Sequence, residues 1–145
     1  MVHYRRPESV LVLIYTSKHE VLLLKRIHPF SYWQSVTGGM RMNENKEDAA
    51  PRELREETGL KEEGFLIDSG LSRSFEIDPR WQYRYHFNDK VNIEHEFHYL
   101  LADRTKITLH SKEHSQYKWL PIDIAINKVW SWTNKKALER LAARL

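Results

Sequence analysis

The segment Gly38–Leu60, GGMRMNENKEDAAPRELREETGL, carries its own start and stop signals together with a dense block of negative charge. Asn45 stands where a side chain can cap a helix, Asp48 three residues on completes a weak capping box, and Gly59 is placed to end the helix. Gly38 and Gly39 give the preceding loop a turn that a side chain would obstruct. At 100° per residue, Glu53, Glu56 and Glu57 fall within an arc of about 100° centred close to Ala49, while Ala50, Leu54 and Thr58 lie on the other side. One face is acidic and the other packs. Like charges three and four residues apart destabilise a helix by roughly 0.2–0.5 kcal/mol per pair, so the cluster carries a local cost unless a cation sits over it. Carboxylate oxygens are preferred ligands of Mg²⁺, which joins protein carboxylates to substrate phosphates. The alternative is a solvated face laced with Arg52 and Arg55. Pro51 falls in the second turn if Asn45 is the cap, so the helix either starts later, near Asp48, or is kinked at its first turn.

The rest of the chain limits what surrounds this helix. At 145 residues and 41% hydrophobic content it fits one globular domain, with neither repeats nor a linker to mark a boundary. The longest apolar run, VLVLIY, is too short to span a bilayer, and MVHYRRPES lacks the apolar stretch of a secretory signal. The absence of cysteine excludes disulfides and thiolate metal sites and suits the cytoplasm. With a net charge of +3 and Lys and Arg scattered rather than clustered, a small phosphorylated substrate is favoured over nucleic acid. The sequence leaves monomer and homodimer open. Residues 10–15 and 21–24 read as a hairpin of buried strands around TSKHE, and Trp33–Thr37 as a strand stopped by the glycine pair. Further strands are predicted near 65–77, 82–87, 94–101 and 116–120. The alternation in WQYRYHF places Tyr83, Tyr85 and Phe87 on one face. A last helix begins near Thr133, with Leu138, Leu141 and Leu145 at helical spacing. Strands interleaved with two substantial helices predict an α/β fold, a mixed sheet between helices.

The wider spacing adds to this reading. Gly38, five residues, Glu44, seven residues, then Arg52-Glu53-Leu54-Arg55-Glu56-Glu57-Thr58-Gly59-Leu60 matches every fixed position of the Nudix box, a coincidence on the order of one in ten million at average residue usage. The chain resembles the Nudix family. The resemblance implies an α/β/α sandwich with a mixed central sheet, the box forming a loop-helix-loop, and hydrolysis of a diphosphate linked to another moiety. It also implies Mg²⁺ or Mn²⁺ held by Glu53, Glu56 and Glu57, with Glu44 a structural residue or outer ligand. Arg52, one turn before Glu56, either orients that carboxylate or forms a surface ion pair.

Segments outside the box, among them RRPESVLVLIY, YWQSVTGGM, EHSQYKWL and WSWTNKKALE, resemble the bacterial branch of the family that serves folate synthesis. That branch converts dihydroneopterin triphosphate to the monophosphate and pyrophosphate. Ile77–Asn92 departs more from that pattern. In this light Tyr32 and Trp33 are candidates to stack on a flat bicyclic ring, with core packing the alternative for Trp33. Lys25 and Arg26, at a strand end, are candidate phosphate contacts or ordinary surface charges. Trp132 and Asn134 mark the entry to the last helix, and packing is the simpler role for Trp132. For a general base, Glu113 ranks first, ahead of His114, Glu94 and Glu96; Glu94 and Glu96 share one strand face, and Glu96 is also a candidate metal ligand. Two alternatives stand beside the pterin reading: a nucleoside triphosphate pyrophosphohydrolase of the same family, and a Nudix-fold module that binds nucleotide or RNA without turnover. The intact carboxylates of the box argue against the second.

Overall fold

The computed structural model describes residues 3–145. Seven strands form one mixed sheet: β1 (Glu8–Thr16), β2 (Glu20–Arg26), β3 (Tyr32–Gln34), β4 (Val36–Gly39), β5 (Phe65–Glu76), β6 (Val91–Leu101) and β7 (His114–Pro121). Three α-helices, α1 (Lys46–Thr58), α2 (Ile122–Lys128) and α3 (Trp132–Ala143), pack on it. The strand order is β3-β2-β1-β6-β5, with β4 paired to β1 and β7 to β2. Central β1 runs parallel to β6 and antiparallel to β2 and β4.

Strand alternation divides the apolar residues between two layers. Val10, Val12, Ile14, Leu22 and Leu24 pack with Ala49, Ala50 and Leu54 of α1. Leu11, Leu13, Val21 and Leu23 pack with Ala125 of α2 and Ala137, Leu138 and Leu141 of α3. Burial on both faces is why VLVLI and VLLL are continuous apolar runs rather than alternating ones. Each such side chain contributes roughly 1.5–3 kcal/mol of transfer free energy, so this pair of strands anchors the sandwich.

Helix α1 forms from the signals at its ends. The Asn45 carboxamide oxygen accepts the Asp48 N–H at 2.9 Å. Gly59, at φ 78°, donates its N–H to the Arg55 carbonyl at 2.8 Å, a left-handed position that glycine occupies without steric cost. The helix runs unbroken from Lys46 through Pro51, so it starts at the Asn45 cap and not near Asp48. Its acidic face is not a solvated one: Ala49, Glu53 and Glu57 are buried, and only Glu56 of the three glutamates is exposed.

Three expectations need correction. The strand read over Trp33–Thr37 is two strands broken at Ser35, where the chain leaves β2 for β1. Asn134 holds this crossing, accepting the Ser35 N–H at 2.8 Å and donating to the Ser35 hydroxyl at 3.0 Å. Residues 82–87 do not form a strand. They lie in the β5–β6 connection around a short 3₁₀ turn, Gln82–Arg84, and the Gln82 carboxamide donates to the carbonyls of His86 and Asp89. Tyr83 and Phe87 are exposed there, so the aromatic alternation does not bury a face. Helix α2 is an additional element. Among the described residues no helix is long and apolar enough to cross a membrane.

Candidate active site

Arg52 organises the start of the site. Its guanidinium donates to both carboxylate oxygens of Glu44, each at 2.8 Å, to Glu53 at 2.8 Å and to the Gly39 carbonyl at 3.0 Å, with a longer contact to Glu56 at 3.3 Å. Glu44 also accepts the Arg41 backbone N–H at 2.9 Å. The Arg52 hydrogen bonds hold the Glu44 carboxyl down at about 2, and Glu44 in turn raises Arg52 further. A doubly bonded Glu44 fits the positioning role better than that of a ligand. Gly38 has a steric reason to be glycine, because a Cβ there would lie 2.0 Å from the Glu53 carboxyl carbon. The β4 backbone and the Glu53 carboxylate approach each other only because that atom is missing.

Glu57 lies deeper. Its side chain is almost fully buried and its Oε2 has no hydrogen-bond partner. Burial pushes its carboxyl well above the usual range, and the Glu53 and Glu113 charges push it further. Glu53 is raised as well, chiefly by burial, with Arg52 opposing. Ligand atoms of Glu57, Glu113 and His114 lie within 4.8 Å of one another. Buried carboxyls that repel one another, with one oxygen left unpaired, are the donor set a hard divalent cation satisfies. Glu57 therefore fits such an ion, with the Glu113 carboxyl and the His114 ring converging on it and the Glu53 charge nearby, whereas Glu56 stands at the exposed margin, bonded to Arg41 and Arg52.

His114 departs from its sequence reading as a base. It is buried, contacts the Gln34 carboxamide at 3.1 Å, and burial followed by the Arg26 charge lowers its pKa to about 4. It is thus neutral near pH 7. Glu113, in the turn before β7, is only half-buried.

A cavity of about 550 Å³ adjoins this cluster. Arg26, Tyr32, Gly38, Gly39 and Trp132 line it, whereas Lys25, Trp33 and Asn134 do not. Strand period decides between neighbours. Gln34 lies on the His114 side, and Trp33 packs on the opposite face against the α2–α3 layer, under the ammonium groups of Lys118 and Lys128. That environment is the packing alternative for Trp33, while Asn134 is committed to Ser35. Trp81 and Trp130, which sequence reasoning passed over, form an aromatic wall with Tyr32 and Phe30 at ring separations of 4.8–6.1 Å. Arg80 stacks 4.3 Å over Phe30. Trp81 comes from the segment that departs from the sequence pattern, and its role depends on a loop conformation that no local period encodes.

Glu94 and Glu96 share a strand face, but that face is away from Glu57. Glu96 is bonded to His98 and Arg73, and these bonds outweigh its burial to keep the carboxyl low. It has no free oxygen for an ion. Glu94 is buried in the cavity wall, where burial raises its carboxyl to about 7 against the opposing Thr133 hydroxyl.

Comparison with known proteins agrees with this geometry. The NUDIX domain model matches residues 5–141. The chain is 36% identical over 141 residues to dihydroneopterin triphosphate diphosphatase of Escherichia coli K12, covering 94% of this chain and 93% of that one. It is 34% identical over 146 residues to the Haemophilus influenzae protein of the same name, covering 97% and 90%. The solved structure of the E. coli dihydroneopterin triphosphate pyrophosphohydrolase superposes with a TM-score of 0.91 at 34% identity, over 99% of this chain and all of that one. The box, the sandwich and these matches place the chain in the Nudix hydrolase family.

Proposed function

We propose that the protein hydrolyses dihydroneopterin triphosphate to dihydroneopterin monophosphate and pyrophosphate, in folate synthesis, with Mg²⁺ as the ion and Mn²⁺ able to replace it. The observation that supports the reading is an aromatic-walled cavity whose Gln34 contacts His114, the neighbour of the buried, partly unpaired Glu57, in a chain similar end to end to enzymes of that name.

Glu53 and Glu57 are the residues that would hold the ion, with Glu56 at the margin and Glu113 beside it. When bound it neutralises phosphate oxygens and makes water a better nucleophile. The chain's own residues do the rest. Arg52 fixes the Glu53 carboxylate, while Gly38 gives it room. Arg26 brings a fixed positive charge to the cavity beside Glu57 and His114, where it can balance the triphosphate. Glu113 accepts the proton of the attacking water. Its partly open position lets that proton leave to solvent, which the sealed, neutral His114 does not allow. Tyr32, Trp81 and Trp130 offer faces to the pterin ring and keep water from it.

A nucleoside triphosphate remains the competing substrate, because the same wall would stack on a purine. The test is a product assay. Incubation with dihydroneopterin triphosphate and Mg²⁺ should release pyrophosphate, and excess chelator should stop it. Orthophosphate as the first product, or turnover untouched by chelator, overturns the reading.

A further inference from the structure

Two buried polar side chains of β6 have no use in the chemistry described above. Asn92 and Glu94, two residues apart, share a face of the strand, and both line the cavity. They are 1% and 6% exposed. The Asn92 carboxamide donates its N–H to the Ser9 hydroxyl at 2.8 Å, which leaves its oxygen unpartnered. The Glu94 Oε1 is likewise unpartnered, while the Thr133 hydroxyl favours the carboxylate from the α3 side. Two unpartnered acceptors buried on side chains that line one cavity are costly unless something brings donors to them.

We propose that Glu94, flanked by Asn92, is the specificity site that reads the ring edge of the substrate, its carboxylate accepting from a ring N–H and the adjacent exocyclic amino group of a 2-amino-4-oxopyrimidine. The chemistry follows from the acceptor count. A 2-amino-4-oxopyrimidine presents two parallel N–H donors on one edge, spaced as in a guanidinium, and a carboxylate matches them with both lobes. The Asn92 oxygen takes the second hydrogen of the amino group. An adenine edge offers an acceptor where this pair needs a donor, so two acceptors would face each other and the site would reject it. The inference rests on the proposed pterin substrate and deepens it. Pterins and guanine share this edge, so Glu94 separates both from adenine without separating them from each other.

The test couples one side chain to one ligand group. GTP and ITP differ only in the exocyclic amino group, and both can be measured as competitors of dihydroneopterin triphosphate hydrolysis. The wild-type enzyme should bind GTP at least about tenfold tighter than ITP. In Glu94→Gln that ratio should fall to within about twofold, with KM for the pterin triphosphate rising far more than kcat falls. Glu94→Asp, which retains a carboxylate, should keep most of the preference and guards against a folding defect in the first variant. Equal weakening of GTP and ITP in Glu94→Gln, or a ratio that survives there, overturns the inference. A wild-type enzyme that releases no pyrophosphate from the pterin triphosphate removes the proposed substrate instead, and the GTP-to-ITP comparison, measured then by direct binding calorimetry, still reads Glu94 as an edge acceptor.

Discussion

Glu94→Gln should make the ligand-free protein more stable at alkaline pH and leave it unchanged in acid. In the folded chain burial holds the Glu94 carboxyl at about 7, against an ordinary 4.5 in the unfolded chain. Below pH 4.5 it is protonated in both states. Between 4.5 and 7 the unfolded chain releases the proton and the folded chain keeps it, so stability falls as pH rises and levels off above 7. At 1.36 kcal/mol per pH unit the loss is roughly 3 kcal/mol. Glutamine never ionises and escapes that loss. The charged neighbours Arg73 and Glu96 are present in both proteins and cancel in the difference. At pH 8 the variant should therefore melt roughly 6–12 °C higher, at about 2–4 °C per kcal/mol for a chain of this size, and the gap should narrow to about 2–3 °C by pH 5. Thermal or urea unfolding across pH 5–8.5, without divalent ion or substrate, measures it. A gap independent of pH, or a variant less stable than wild type at pH 8, refutes the reasoning.

Three further outcomes concern the candidate active site. Glu57→Gln should lower kcat by roughly two orders of magnitude or more with the fold intact, because the charge that develops in the transition state loses its counter-ion; near-normal turnover removes Glu57 from the site. Gly38→Ala forces a methyl group onto the Glu53 carboxyl and should cost at least as much activity, alongside weaker divalent-ion binding by calorimetry. Unchanged ion affinity would show that Glu53 can swing away freely. Glu113→Gln should depress the rate more than His114→Gln, an outcome reversed if the histidine is the base.

Much of this was legible locally. The helix of the box announces itself through Asn45, Gly59 and its apolar stripe, all within reach of one another along the chain, and the runs of β1 and β2 are apolar throughout because helices cover both faces. What was not legible depends on partners distant in sequence. Whether Tyr32 or Trp33 faces the cavity turns on a single residue of register, set by the pairing of β3 with β2. The register of β6 on β1 puts Glu94 in the cavity wall and places both it and Glu96 on the sheet face opposite α1. Residues 82–87 imitate a strand because aromatic and basic residues alternate there, yet the Gln82 side chain satisfies the backbone of a loop, and Trp81 serves the aromatic wall. Helix α2 escaped notice because it is short and begins at Pro121 without a side-chain cap. The clustering of Glu57, Glu113 and His114 joins residues more than fifty positions apart, which no spacing rule reports.

The most direct test of the account is a side-by-side measurement of kcat/KM for dihydroneopterin triphosphate, GTP and dATP under saturating Mg²⁺. The ring-edge acceptors and the aromatic wall predict dihydroneopterin triphosphate ahead of both nucleotides by at least about tenfold, equivalent to about 1.4 kcal/mol, with dATP last and pyrophosphate the product in every case. Equal or faster turnover of either nucleotide would contradict the pterin assignment and make the protein a nucleotide pyrophosphohydrolase working with the same glutamates.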